Sequence, residues 1–198
     1  MLRRLALIVL LAPLLAAAQP GTWAADPPEQ TRTCWLYARY AVLTHDGPEG
    51  RGEAVAVVRR VGRGRATCAA PPSAAVLTVG APGEARYFAG LADPYLLVDV
   101  GTGPDGRALE VYDVERGALV WSGGYRRDEV EVERDGSGTA LAVSFFVPLG
   151  DDGGGRRPCP ESEAGGWGRS YGFDERVRLD LQAGAVERTG HVECSYRQ

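Results

Sequence analysis

Gly168-Arg169-Ser170-Tyr171-Gly172 has the G-x-S-x-G spacing of a nucleophile elbow, and Asp180 and His191 follow it in the order that hydrolases use for acid and base. Such a serine needs a buried strand before it and a helix after it, so that its hydroxyl stands clear at a sharp turn. Here a glycine-rich stretch comes before and the alternating segment Val177 to Leu181 comes after. The pattern predicts a surface serine. An envelope serine hydrolase using Ser170 is therefore the alternative, not the leading reading.

Two further strings imitate ligand sites. Gly101-Thr102-Gly103-Pro104-Asp105-Gly106 matches G-x-G-x-x-G, but a strand pattern, Leu109 to Val114, follows it. Without a helix N-terminus no amides converge on a pyrophosphate, and Asp105 adds like charge. The string reads as a hairpin loop. Asp99 and Glu110 stand at the outer spacing of a calcium loop, yet its inner ligand positions hold Gly101 and Gly103 and its obligatory glycine is Pro104. His45 lies in a turn, Thr44-His45-Asp46-Gly47, and reads as solvated; His191 reads as lying on the outer face of the last strand. Glu129, Glu131 and Glu133 share one face of a strand whose other face carries Val130 and Val132, an arrangement that protects a sheet edge from pairing. No catalytic residue, metal or cofactor is assigned.

Cys34, Cys68, Cys159 and Cys194 are the four cysteines, with no C-x-x-C pair among them. That spacing disfavours zinc and, in an oxidising compartment, implies two disulfides with three possible pairings. Sequential pairing, Cys34 with Cys68 and Cys159 with Cys194, is expected.

The elements that must position these residues alternate with period two. Cys34 to Leu43, Glu53 to Val61, Val76 to Val79, Arg86 to Leu91, Tyr95 to Val100, Ala108 to Val114, Ala118 to Trp121, Val130 to Glu133, Leu141 to Val147, Val177 to Leu181 and Ala185 to Val192 are separated by turn residues such as Asp93-Pro94, Glu115-Arg116-Gly117 and Asp135-Gly136. The expectation is an all-β, disulfide-stapled domain over 34–198: a single antiparallel β-sandwich or partly closed barrel with about 9–10 strands. Its core would draw on Leu36, Leu97, Val111, Leu119, Trp121, Leu141, Val143, Phe145 and Leu179. The hairpin around Val114 to Gly117 looks like part of a propeller blade, but no second copy recurs along the chain, so a propeller is set aside. Residues 151–172 form a long loop, with seven glycines and two prolines between Asp151 and Gly172.

Arg3 and Arg4 precede an apolar run from Leu5 to Ala18, with Ala16 and Ala18 placed for a signal peptidase. Residues 1–18 are therefore expected to be a signal peptide and 19–33 a flexible mature N-terminus, and the run is too short to span a bilayer. All 22 basic residues are Arg, with no Lys and no Asn, the composition of a GC-rich bacterial genome. Losing Arg3 and Arg4 takes the net charge from −4 to −6. So acidic a chain disfavours nucleic acid as a partner. A periplasmic or secreted location, with no membrane span after cleavage, follows.

The stretch Tyr95-Leu96-Leu97-Val98-Asp99-Val100-Gly101-Thr102-Gly103-Pro104, with Val111-Tyr112-Asp113 and Gly124-Tyr125 after it, resembles a group of uncharacterised exported bacterial proteins. The ending from Arg188-Thr189-Gly190 to Cys194 and Gln198 is similar too. This resemblance covers about half of the mature chain and implies no activity. Ser122-Gly123-Gly124-Tyr125 is similar to the Ser-Gly loop with a nearby Tyr that periplasmic lysozyme inhibitors insert into their target's cleft, which would make these four residues a binding loop. The leading expectation is a non-catalytic exported β-domain that binds an unknown protein or envelope ligand.

Overall fold

The computed structural model describes residues 32–46, 51–62, 65–81, 83–101, 106–149 and 170–197. β1 (Arg32–Leu36), β2 (Tyr40–Asp46), β3 (Glu53–Arg59) and β4 (Ala75–Val79) form a first sheet. β5 (Arg86–Ala92), β6 (Tyr95–Val100), β7 (Ala108–Asp113) and β8 (Ala118–Gly124) form a second. The third holds β9 (Arg126–Arg134), β10 (Ala140–Pro148), β11 (Ser170–Asp180) and β12 (Ala185–Arg197). All pairings are antiparallel and join strands adjacent in sequence.

The chain is thus the all-β antiparallel sandwich that the alternation predicts, and no sheet closes into a barrel. It departs from expectation in detail. There are 12 strands among the described residues, not 9–10. One reason is that Cys34 to Leu43 is two strands, folded back where the Tyr37 N–H donates to the Tyr40 carbonyl at 2.9 Å. β1 also begins at Arg32, two residues earlier than the expected domain start. Residues 151–169 of the glycine-rich loop 151–172 lie outside the described residues, as do 150 and 1–31; Ser170 to Gly172 belong to β11.

The second sheet is the middle layer. From Tyr95 to Asp99 every residue of β6 is buried, because each face of the strand meets a different neighbour. Leu96 and Val98 pack with Tyr40, Val42, Val55 and Val57 of the first sheet. Tyr95, Leu97, Leu109 and Val111 pack with Val143, Phe145, Val177 and Leu179 of the third. Each fully buried side chain of this size contributes roughly 1.5–3 kcal/mol. The blade-like hairpin belongs to a four-stranded meander whose two faces the other meanders cover, with no repeat in the sequence.

The outer face of the first sheet has its own cover. Ala41, Leu43, Ala56 and Val58 cluster with Cys34 of β1 and Ala75 of β4, and Ala70, from the segment between β3 and β4, packs against them. The roof, which includes the single-turn α1 (Arg65–Cys68), is pinned by the Cys34–Cys68 disulfide. Arg32 adds a hydrogen bond from Nη2 to the Cys68 carbonyl at 2.8 Å. Cys194 is disulfide-bonded as well, while Cys159 lies outside the described residues.

Five of the expected core residues, Leu97, Val111, Val143, Phe145 and Leu179, are buried, and Trp121 packs against the core. Leu36, Leu119 and Leu141 are exposed. Leu141 sits at the irregularity between Ala140 and Ala142, where an extra residue shifts the phase of alternation and turns it outward. Leu119 flanks a similar shift in β8, and Leu36 ends an edge strand.

Glu53 ties the first sheet to the second by accepting the Phe88 N–H at 2.9 Å. Burial raises its pKa above the usual range, Phe88 opposes this, and Asp46 adds to it. Because the folded form holds this proton more tightly than the unfolded chain, the group's stabilisation is complete below the ordinary carboxylate range and is lost as pH rises through the raised value. Between about pH 4 and pH 7 the wild-type Tm should therefore fall relative to that of Glu53→Gln, whose amide oxygen can still accept from Phe88. Parallel Tm curves for the two proteins, measured by circular dichroism, would remove this assignment.

Candidate functional site

Three hairpin turns at one end of the molecule share a design. In Asp113 to Gly117, Oδ1 of the aspartate accepts the N–H groups of Glu115 and Arg116 at 2.8 and 3.0 Å. In Asp180 to Gly184 it accepts those of Gln182 and Ala183 at 2.9 and 2.7 Å. Both turns close on a glycine in the left-handed region, Gly117 at φ 64° and Gly184 at φ 65°, which no β-branched residue would tolerate. Asp135 does the same for Ser137 and Thr139 at 2.8 and 2.9 Å. These carboxylates build the turns; they are not spare acids.

With the turns at Tyr37–Arg39 and Asp93–Pro94, they border two adjoining cavities of about 460 and 510 Å³. Arg39 and Thr139 line both. Arg39 donates from Nε to Asp93 Oδ1 at 2.9 Å, with Nη2 2.6 Å from the same oxygen as an ion pair, and from Nη1 to Glu115 Oε1 at 3.0 Å. Its side chain remains 50% exposed, so the guanidinium is fixed in direction yet open to solvent. Tyr40 donates to Glu115 at 3.3 Å, buttressing that carboxylate from below. Tyr37 forms one wall of the smaller cavity; burial raises its phenol pKa, and a hydrogen bond with the Leu91 backbone opposes this. This arrangement can hold a ligand by charge-assisted and neutral hydrogen bonds.

The residues singled out from the sequence fall elsewhere. Ser122, Gly123 and Gly124 are not a loop but the end of β8. Gly123 is required there because a Cβ would lie 2.6 Å from the Trp121 ring. Tyr125 is 3% exposed and belongs to the core against Phe145, so it cannot reach into another protein's cleft. Burial first, then the neighbouring Asp99 carboxylate, pushes its phenol well above the usual tyrosine range.

Ser170 opens β11 opposite Arg197, six residues beyond His191 on β12. At about 3.3 Å per residue this puts serine and histidine roughly 20 Å apart, and Asp180, ten residues along β11, about 33 Å away. The triad does not assemble. Asp99 is ion-paired with Arg107 and, at 3.6 Å, with Arg127, while Glu110 bonds Arg86 at 3.1 Å. Residues 102–105 of the glycine string lie outside the described residues, and β6 and β7 on either side of it pair antiparallel. His45 is a half-buried member of β2, not a turn residue. Among the described residues no group of three or more His, Cys, Asp or Glu could hold a metal ion.

β9 is an edge strand, with Val130 and Val132 packed inward. Glu131 and Glu133 reach across β10 to Arg176 and Arg178 of β11 at 2.5 and 2.8 Å. Arg126 stacks on Phe146 with its guanidinium carbon 4.3 Å from the ring centre, and bonds Glu193 at 2.5 Å. The outer face of the third sheet is thus a lattice of arginine–glutamate pairs.

The polar cleft itself was not foreseen. Its local trace in the sequence is the D-x-x-x-G spacing of Asp113 to Gly117 and Asp180 to Gly184, which recurs at Asp46, Asp99 and Asp151 and so does not by itself mark a cleft. No helix among the described residues is long and apolar enough to cross a membrane. The chain matches no protein-family model, no curated protein and no solved structure.

Proposed function

We propose that this chain is an exported, non-catalytic β-domain, periplasmic or secreted, that binds a protein or envelope component in the cleft at Arg39. The leader-like Arg3, Arg4 and Leu5 to Ala18, together with the disulfide-bonded cysteines, support export, since disulfides persist in oxidising compartments. The observation that carries the binding reading is the half-exposed Arg39, held by Asp93 and Glu115 between two cavities of ligand size. A side chain already fixed in place spends little conformational entropy when a ligand arrives. The inhibitor-like mode would need Tyr125 exposed and the hydrolase would need Ser170 beside His191; the geometry favours neither.

Sedimentation with isolated bacterial envelopes tests the reading. Arg39→Ala should lower retention of the purified protein at least about tenfold, the effect of losing one charge-assisted bond, with an unchanged circular dichroism spectrum. Equal retention of variant and wild type would overturn the proposal.

A further inference from the structure

We infer that the cavity beside Tyr37 takes one ring of a neutral pyranose oligosaccharide and that Trp35 carries the next ring, an assignment that rests on the cleft being the binding site. A pyranose presents C–H groups on its faces and hydroxyls, each donor and acceptor, around its rim. It is recognised by an aromatic face beside fixed donors and acceptors. Both are present here.

The aromatic part is a strip. Trp35 and Tyr37 are two residues apart, and both rings meet Phe88, with centroid distances of 5.7 and 6.4 Å. Trp35 remains 47% exposed near the end of β1 although its ring meets Phe88. Trp35 belongs to β1 and Tyr37 opens the turn after it, so the two rings are linked through Phe88, which meets both.

The polar part has a defined sense. Asp135 can only accept, so Ser137 Oγ must donate to it across 2.6 Å. Thr139 Oγ1, 3.0 Å from Ser137 Oγ, must then donate to Ser137, which leaves its own lone pairs to accept from a ligand. Both Arg39 contacts to Asp93 use Oδ1, which leaves Oδ2 as a second acceptor beside guanidinium donors. Donor and acceptor side by side suit vicinal hydroxyls. An anion would meet the Asp93 carboxylate, and an apolar peptide would leave these groups unpaired, so neither fits as well.

Calorimetric titration of the purified protein with cellotetraose, chitotetraose and maltotetraose tests this, with sodium sulfate and tetra-alanine as the anion and peptide arms. At least one oligosaccharide should bind saturably. Trp35→Ala and, separately, Thr139→Val should each weaken it about tenfold, while His191→Ala leaves it unchanged. Thr139→Val keeps the backbone turn and serves if the tryptophan variant fails to fold. If no oligosaccharide binds, or if binding ignores both variants, the assignment is overturned. Should envelope retention still depend on Arg39 in that case, only the sugar class falls; if that dependence is also absent, the cleft falls with it.

Discussion

Replacing Asp99 by Ala will cost the protein about 3–5 kcal/mol, because it strips a buried arginine of its counter-ion. Asp99 is 2% exposed at the end of β6, and the Arg107 side chain that pairs with it is only 10% exposed. Arg107 also donates to the Gly101 carbonyl at 2.6 Å and lies 5.3 Å over the Tyr87 ring, so its position is set by several contacts. The Gly101 carbonyl and the Tyr87 ring carry no full negative charge to take the place of the carboxylate in so buried a site. Tyr125, whose phenol neighbours Asp99, loses an acceptor in the same step. For a chain of this length the loss should appear as a fall in Tm of roughly 10 °C or more. Urea unfolding decides it, and a cost under about 1 kcal/mol would show that the pair is solvated in solution. Replacing both partners by apolar residues of similar size, Asp99→Leu with Arg107→Met, should recover most of the loss, since removing both charges also removes their desolvation.

The Cys34→Ser, Cys68→Ser double variant should lose about 3–4 kcal/mol. The bond closes a loop with a sequence separation of 34, and restoring that freedom to the unfolded chain accounts for most of the figure. Part of the effect is local. The strap holding Cys68 and Ala70 covers Ala41, Leu43, Ala56 and Val58, and apart from packing it is held by the Arg32 bonds and by Thr67, which exchanges 3.2 Å hydrogen bonds with Val61. Freed of the bond, the strap should open before the sheets do, giving faster hydrogen exchange in β2 and β3 at denaturant concentrations where β6 and β10 stay protected. A loss below about 1 kcal/mol, or uniform exchange through all three sheets, would mean that packing alone holds the cover.

The residues differ in how openly they announced these roles. Alternation with turn punctuation marks strands reliably, and Val143, Phe145 and Leu179 sit where it puts them. Leu141 escapes because a single inserted residue reverses the face of everything on one side of it, and no residue type marks the insertion. The unbroken run Tyr95-Leu96-Leu97-Val98-Asp99 carried a stronger message than alternation, since a strand apolar on both sides needs a layer on each. Periodicity finds strands but not their division into sheets. The cleft is harder still: Arg39 meets Asp93 and Glu115, 54 and 76 residues away, and nothing local to any of the three foretells the meeting. Motif matching failed at Tyr125 for a related reason. A tyrosine beside glycines reads as loop chemistry until the Trp121 ring is seen to occupy the space that the glycine vacates.

Since among the described residues no strand pairs with one that is distant in strand order, order of synthesis and order of assembly can coincide. Most neighbouring strands are joined by short turns, and the two longer connections, residues 60–74 between β3 and β4 and 149–169 between β10 and β11, are still modest, so the entropy of loop closure is met in limited steps. The middle meander is the exception in one respect. Once formed, it presents Leu97 and Val111 to solvent until Phe145 and Leu179 arrive behind it. That interval is when a chaperone is most useful and when self-association is most tempting.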